Sequence, residues 1–139
     1  MITNHDIPMA LRAAYLTMHR QTNTCLSKCG ITADQFVCLL LLAERDGITQ
    51  QELVRRATSD PNTIRAMLVL LEKRGLVKRC PHPDDGRALN VTITPEGRKI
   101  LKDLAAEVKP VQERMKEPFS GQEAEMLVNL LSRVTDSMR

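Results

Sequence analysis

Residues 60–79 read DPNTIRAMLVLLEKRGLVKR, and the hydrophobic period of this stretch changes once. As far as Lys73, the residues Ile64, Met67, Leu68 and Leu71 recur at i, i+3, i+4 and i+7, which is the stripe of an amphipathic helix. Asp60 and Pro61 supply a cap and a first-turn residue, and Gly75 supplies the stop. The face opposite the stripe carries Asn62, Ala66, Val69 and Lys73, with Arg65 on its flank. Past Gly75 the period becomes two. LVKRC at 76–80 and LNVTI at 89–93 are β-type runs around the turn-rich PHPDDGR of 81–87, which predicts a hairpin with a proline-stiffened tip.

Working outward, TADQ at 32–35 and TQQE at 49–52 are capping boxes. The first opens the apolar helix FVCLLLLAE, expected to be buried nearly all round. The second opens a short helix with Leu53, Val54 and Ala57, and Asp46-Gly47 separates the two. Asp6, read as a cap, and Pro8 start a helix over about 7–27, with Leu11, Ala14, Tyr15, Met18, Thr22, Cys25 and Cys29 along one stripe and Gly30 at its end. After the hairpin, Thr94-Pro95 opens a helix whose Leu101, Leu104, Val108, Val111 and Met115 have coiled-coil spacing, and Pro110 predicts a kink in it. SGQE at 120–123 opens a last helix with Leu127, Leu130, Leu131, Val134 and Met138 on its apolar side.

A short helix, a tight turn, a second helix and a β-hairpin form the order of a winged helix-turn-helix. The predicted fold is therefore mainly α with a small β-hairpin wing, flanked by N- and C-terminal helices. In that arrangement the second helix of the pair enters the major groove of double-stranded DNA, first turn foremost. Here that turn holds Pro61, Asn62, Thr63 and Arg65. Asn can bond adenine through two atoms, Arg can bond guanine O6 and N7, Thr suits a phosphate or a base, and Ala66 and Val69 offer apolar surface to thymine methyls. The charge distribution agrees. Of the 20 Lys/Arg and 17 Asp/Glu in the 139-residue chain, residues 55–99 hold 10 and 5, so the net +3 is a local basic excess over a slightly acidic remainder. One tyrosine, two phenylalanines and no tryptophan argue against readers that stack bases on aromatic platforms.

Ile31-Thr32 with Gln35, then Leu53, then the 60–79 stretch, then PDDGRALNVTITPEGRKIL at 83–101 resemble the MarR family of bacterial transcriptional regulators. The most specific segment is the wing, where DDGR at 84–87 is followed by the ITPEG turn of 93–97. The resemblance implies that Arg87 enters the minor groove and that Asp85 orients it by a charge-assisted bond. The chain departs from the family at Ala66 and Leu70, where a polar or basic residue is common, and at Pro110 and Pro118, which interrupt what is usually a long helix.

The apolar stripes of the first and last two helices are wider than one partner needs, and in the family these helices intertwine into a two-fold dimer. The expected division is thus 1–30 as an N-terminal dimerisation helix, 31–97 as the reading module and 98–139 as C-terminal dimerisation helices, with an inverted-repeat operator. The resemblance further implies a small phenolic or lipophilic effector near Tyr15, Met18 and His19, although core packing also accounts for those residues. Cys25 and Cys29 suggest an alternative, a thiol-based redox sensor of the same fold, with Lys28 close enough to lower a thiol pKa. A protein-interaction module, favoured by the outward Val69 and Leu70, is the other alternative. No enzyme is expected, since nucleophile elbow, Gly-rich phosphate loop and metal-dyad motifs are missing. No cofactor and no metal are expected either, because Cys80 and His82 are too few as ligands. Without a membrane span or a signal peptide, the sequence reads as cytoplasmic.

Overall fold

The computed structural model describes residues 1–139. In chain order they form α1 (Asp6–Leu26), a 3-10 turn (Ser27–Cys29), α2 (Ala33–Glu44), β1 (Ile48–Thr49), α3 (Gln50–Arg56), α4 (Pro61–Lys73), β2 (Val77–Pro81), β3 (Leu89–Ile93), α5 (Pro95–Lys116) and α6 (Gly121–Ser137). The mainly helical winged fold read from the sequence is the one observed. β2 and β3 pair antiparallel with Val77 opposite Ile93 and Arg79 opposite Val91. The sheet has a third strand that the sequence reading missed. β1 is two residues long, too short for a period to show, and pairs Ile48 with Val91 on the other edge of β3.

One core holds the molecule together. Leu39 and Leu42 of α2, Leu53 of α3, Ile64, Leu68 and Leu71 of α4, and Val91 of β3 are fully buried, and Leu26 of α1 and Leu104 and Val108 of α5 close over them. The α2 start is tied down by a reciprocal box: the Thr32 hydroxyl accepts from the Gln35 N–H at 3.1 Å and the Gln35 side-chain Oε1 accepts from the Thr32 N–H at 3.0 Å. Asn23 of α1 reaches across to take the Ala33 N–H at 2.7 Å. This ties the entry of α2 to α1.

Several sequence expectations are corrected. At the α3 start only half of the box forms. The Thr49 hydroxyl caps the Glu52 N–H, whereas the Glu52 carboxylate turns forward to Arg55 and Arg56, whose charge outbids a backbone donor. Asp6 is the first residue of α1 and not its cap, and its carboxylate takes the Thr3 N–H at 2.7 Å. α2 is not buried all round, because Val37 and Leu40 are exposed. α5 runs unbroken through Pro110, which lies on its exposed side, where the carbonyl that loses its bond can be hydrated. Pro118 falls in the link between α5 and α6 and interrupts neither helix.

The wing joins α5 through a compact junction. The Thr94 hydroxyl accepts from the Gly97 N–H at 3.0 Å and donates to the Gly75 carbonyl at 2.6 Å, while the Thr94 N–H donates to the Leu76 carbonyl at 3.0 Å. Gly97 is buried, and a Cβ there would overlap the Leu76 carbonyl and sit 2.7 Å from Ile93 Cγ1. Overpacking of a rigid backbone contact typically costs 1–3 kcal/mol. Gly97→Ala is therefore expected to lower unfolding free energy by about 2 kcal/mol in a denaturant titration, with the helical circular-dichroism spectrum retained. An unchanged midpoint would mean that the junction is not tightly packed.

Candidate nucleic-acid interface

α3 and α4 are joined by the four residues Ala57, Thr58, Ser59 and Asp60. Thr58 has φ +51°, a left-handed conformation seldom taken by a β-branched residue, and it sharpens the turn while the Ser59 N–H donates to the Val54 carbonyl at 3.1 Å. Asp60 then caps α4 twice, through the Thr63 N–H at 2.9 Å and the Thr63 hydroxyl at 2.7 Å. Those bonds hold the Asp60 carboxyl below the usual carboxylate range. They also narrow what Thr63 can do. Its hydroxyl proton is engaged, so in this geometry Thr63 accepts from a base amine but does not donate to a phosphate oxygen.

Burial sorts the rest of α4 as the periodicity requires. Ile64, Leu68 and Leu71 point inward, whereas Pro61, Asn62, Thr63, Arg65, Ala66, Val69, Leu70 and Lys73 are exposed. Arg65 Nη2 donates to Asn62 Oδ1 at 2.6 Å, one turn apart. The C-terminal end of α4 is anchored on both sides. Arg74 Nη1 donates to the Gly30 carbonyl at 3.0 Å, and Glu72 receives the Arg79 guanidinium at 3.0 Å and the Arg79 N–H at 3.1 Å. The Arg79 guanidinium and N–H both hold the Glu72 carboxyl down.

At the wing tip the His82 N–H donates to the Ala88 carbonyl at 2.9 Å and the Ala88 N–H to the Asp85 carbonyl at 3.0 Å. Asp85 Oδ1 accepts from the Arg87 N–H at 3.0 Å but stands 3.7 Å from Arg87 Nε. The expected charge-assisted bond between their side chains is therefore a looser ion pair, and what Asp85 fixes is the backbone of the turn. The Arg87 side chain is 97% exposed and projects freely.

These parts border one concavity. A groove of about 420 Å³ is lined by Pro61 at the start of α4, by Asp85, Arg87, Ala88 and Leu89 of the wing, and by Thr49, Gln50, Gln51 and Val54. The sequence reading did not single out the Gln50-Gln51 pair. The only signal was a run of polar residues at a helix start, and that is what any exposed first turn looks like. Gln50 Oε1 is buried and has no hydrogen-bond partner.

The other candidate residues lie away from this groove. Tyr15 is exposed, and its ring stacks on His19 with centroids 5.3 Å apart and a 3.5 Å contact from its hydroxyl to Nδ1. Met18 and His19 are half-buried. Cys25 is half-buried on α1 and Cys29 half-buried in the 3-10 turn. Lys28 between them pairs with Glu107 of α5 at 3.0 Å, so its charge is shared with a carboxylate and not reserved for a thiol. Burial pushes the Cys38 thiol up to about 12, which fits its place in the core.

A helix-turn-helix whose second helix leads into a three-stranded wing defines the winged-helix class, and comparison with known proteins narrows it. The sequence profile of the MarR family matches residues 31–89. A transcriptional repressor of Mycobacterium tuberculosis is 34% identical over 95 residues, 68% of each chain, and the regulator HosA of Escherichia coli is 33% identical over 107 residues, 77% of this chain and 79% of its own. Among solved structures, a MarR variant from E. coli complexed with operator DNA superposes with a TM-score of 0.84 at 26% identity, over 96% of this chain and 99% of that one. CouR from Rhodococcus jostii RHA1 bound to p-coumaroyl-CoA does so at 0.84 and 26%, over 93% and 91%. The chain belongs to the MarR family of transcriptional regulators.

The α3 charge cluster gives a pH dependence. Hydrogen bonds from Arg55 and then Arg56 lower the Glu52 carboxyl from an ordinary 4.5 to about 2. A depressed folded-state pKa contributes stability that is complete above the unfolded value and is lost as pH falls through the folded one. The protein should therefore lose stability between pH 4.5 and about 2. Glu52→Gln should flatten that part of the acid profile in thermal melts, and an unaltered slope would show that the pairing is not retained in solution.

Proposed function

We propose that the chain is a homodimeric, sequence-specific double-stranded DNA-binding regulator, acting as a repressor on an inverted-repeat operator. The observation that carries this reading is the single groove bounded by the α4 start and the wing arginine. A DNA strand seated there would place the α4 turn in the major groove and Arg87 in the neighbouring minor groove. Pro61, Asn62, Thr63, Arg65, Ala66 and Val69 are the major-groove face in this reading, and Asp85 and Arg87 the wing contact. The operator complex of the E. coli MarR variant supports it by fold and family.

The division by role is 1–30 and 98–139 for dimerisation and 31–97 for reading. α6 has no extended packing partner within the chain. Its Leu127, Leu130 and Leu131 are exposed at 38%, 43% and 40%, as are Ile7, Met9 and Tyr15 of α1 and Met115 and Phe119 around the end of α5. Isolated helices of this length are marginal in water, so an exposed stripe of this kind calls for a second copy. A two-fold pair would set two α4 helices about 34 Å apart. A small phenolic or lipophilic effector, bound where the dimer helices meet the module near Tyr15, Met18 and His19, would act by preferring one spacing of the two heads. The structure of CouR bound to p-coumaroyl-CoA supports the reading that this fold can take a small molecule. No helix of the chain is by itself long and apolar enough to cross a membrane.

Two measurements test the reading. Selection of bound fragments from the host genome should return an inverted repeat whose affinity falls steeply with salt, and Arg87→Ala should weaken binding about tenfold while reducing the salt slope by about one. Salt-independent binding would favour a protein-interaction module instead. Sedimentation should give a dimer, and Leu130→Asp with Leu131→Asp should yield a monomer that has lost operator affinity. A wild-type monomer at micromolar concentration would overturn the two-fold arrangement.

A further inference from the structure

The first two turns of α4 carry one guanidinium and one exposed carboxamide, and in the structure they are bonded to each other. Arg65 Nη2 donates to Asn62 Oδ1 at 2.6 Å. We propose that Asn62 is a positioning residue that fixes the Arg65 fork for guanine. This inference rests on the regulator reading above and assigns its two central polar residues different tasks.

The argument is one of donor and acceptor counting. To bond adenine through two atoms, an asparagine must accept from N6 with Oδ1 while donating to N7 with its amide. Here one lone pair of Oδ1 already receives a charged donor at short range, and turning the amide away from Arg65 inside a desolvated groove would leave a guanidinium proton unpaired, so the pair is expected to stay together on binding. Arg65 loses nothing by the arrangement. A guanidinium has five N–H protons, and one of them on Nη2 goes to Asn62. The second Nη2 proton, the two on Nη1 and the one on Nε remain, and two of these on neighbouring nitrogens can make the fork that matches guanine O6 and N7. Asn62 keeps its two amide donors and one Oδ1 lone pair, which can contact a phosphate or a neighbouring base while Arg65 is held.

The surroundings leave the pair without a competitor in the same turn. The carboxylate nearest in sequence, Asp60, is occupied by the Thr63 N–H and hydroxyl. The next residue along this face is Ala66, which offers no polar atom. Pairing also has an entropic consequence for recognition. A free arginine gives up much rotamer freedom on binding, whereas one already held in its binding geometry gives up less. The residue that sets base preference is thus Arg65, and the residue that sharpens the preference is Asn62.

The test is selection from a random-sequence duplex pool at fixed salt, with wild type, Arg65→Ala, Asn62→Ala and Asn62→Asp, each checked for an unchanged melting curve. Wild type should return a half-site with an invariant guanine. Arg65→Ala should lose that guanine. Asn62→Ala should keep binding but reduce its preference for guanine at that position about tenfold, the scale of one good two-atom contact. Replacing that guanine by 7-deazaguanine, which lacks the N7 acceptor, should penalise wild type more than Asn62→Ala.

Asn62→Asp keeps an acceptor for Arg65, so it should retain the guanine preference while binding all duplexes more weakly through charge repulsion. A merely structural role would lower affinity for every sequence equally. Loss of an adenine preference in Asn62→Ala with the guanine preference intact would overturn the proposal. An absence of any selected sequence for wild type would instead remove the regulator reading on which it rests.

Discussion

The structure depends most on the hydroxyl of Thr94. It caps α5, donates to the carbonyl of Gly75 at the end of α4, and lies one residue after β3, whose partner strand begins beside the Leu76 carbonyl that receives the Thr94 N–H. The end of α4, the base of the wing and the start of α5 therefore meet at one side chain. Gly97 makes this possible, because only a residue without Cβ lets the first turn of α5 lie against the Leu76 backbone. A change in the direction of α5 would be transmitted to the base of the wing through three hydrogen bonds and a backbone contact, with no flexible side chain between them.

A second level of order is local. Asp60 with Thr63, Asn62 with Arg65, and Asp85 with the Arg87 N–H are all ties across two or three residues on the surface proposed to meet DNA. Each is weak in water, where exposed polar pairs contribute little. Their value lies in restricting where a donor can point before a partner arrives. Arg87 is the exception, with a side chain held only by a long ion pair, and it retains the freedom to follow a groove of variable width.

The two ends of the chain are unfinished in the opposite sense. Leu26, Leu104 and Val108 are drawn into the core of the winged module, so α1 and α5 are rooted there. Their far portions and all of α6 leave apolar side chains in solvent. The proposed three-part division of the chain does not correspond to separate cores. Asn23 on the Ala33 N–H and Arg74 on the Gly30 carbonyl are polar contacts between the N-terminal segment and the winged module, and Lys28 on Glu107 joins that segment to α5.

The sequence by itself determined the helices, the hairpin, the inward face of α4 and the basic character of residues 55–99, since each is written in periodicity, caps and charge over short distances. It could not show β1, whose two residues are a strand only because β3 lies beside them. Nor could it show that Pro110 sits where α5 can tolerate it, that Glu52 prefers two arginines to its own cap, or that Gln50 and Gln51 line the groove with Arg87. Element order and position on the helix made Asn62, Thr63 and Arg65 candidate readers, but tertiary and rotameric geometry decided which of their donors and acceptors remain free. The physical reason is that hydrogen-bonding capacity is a property of the residue, whereas its availability is set by the neighbours that the fold brings within 3 Å.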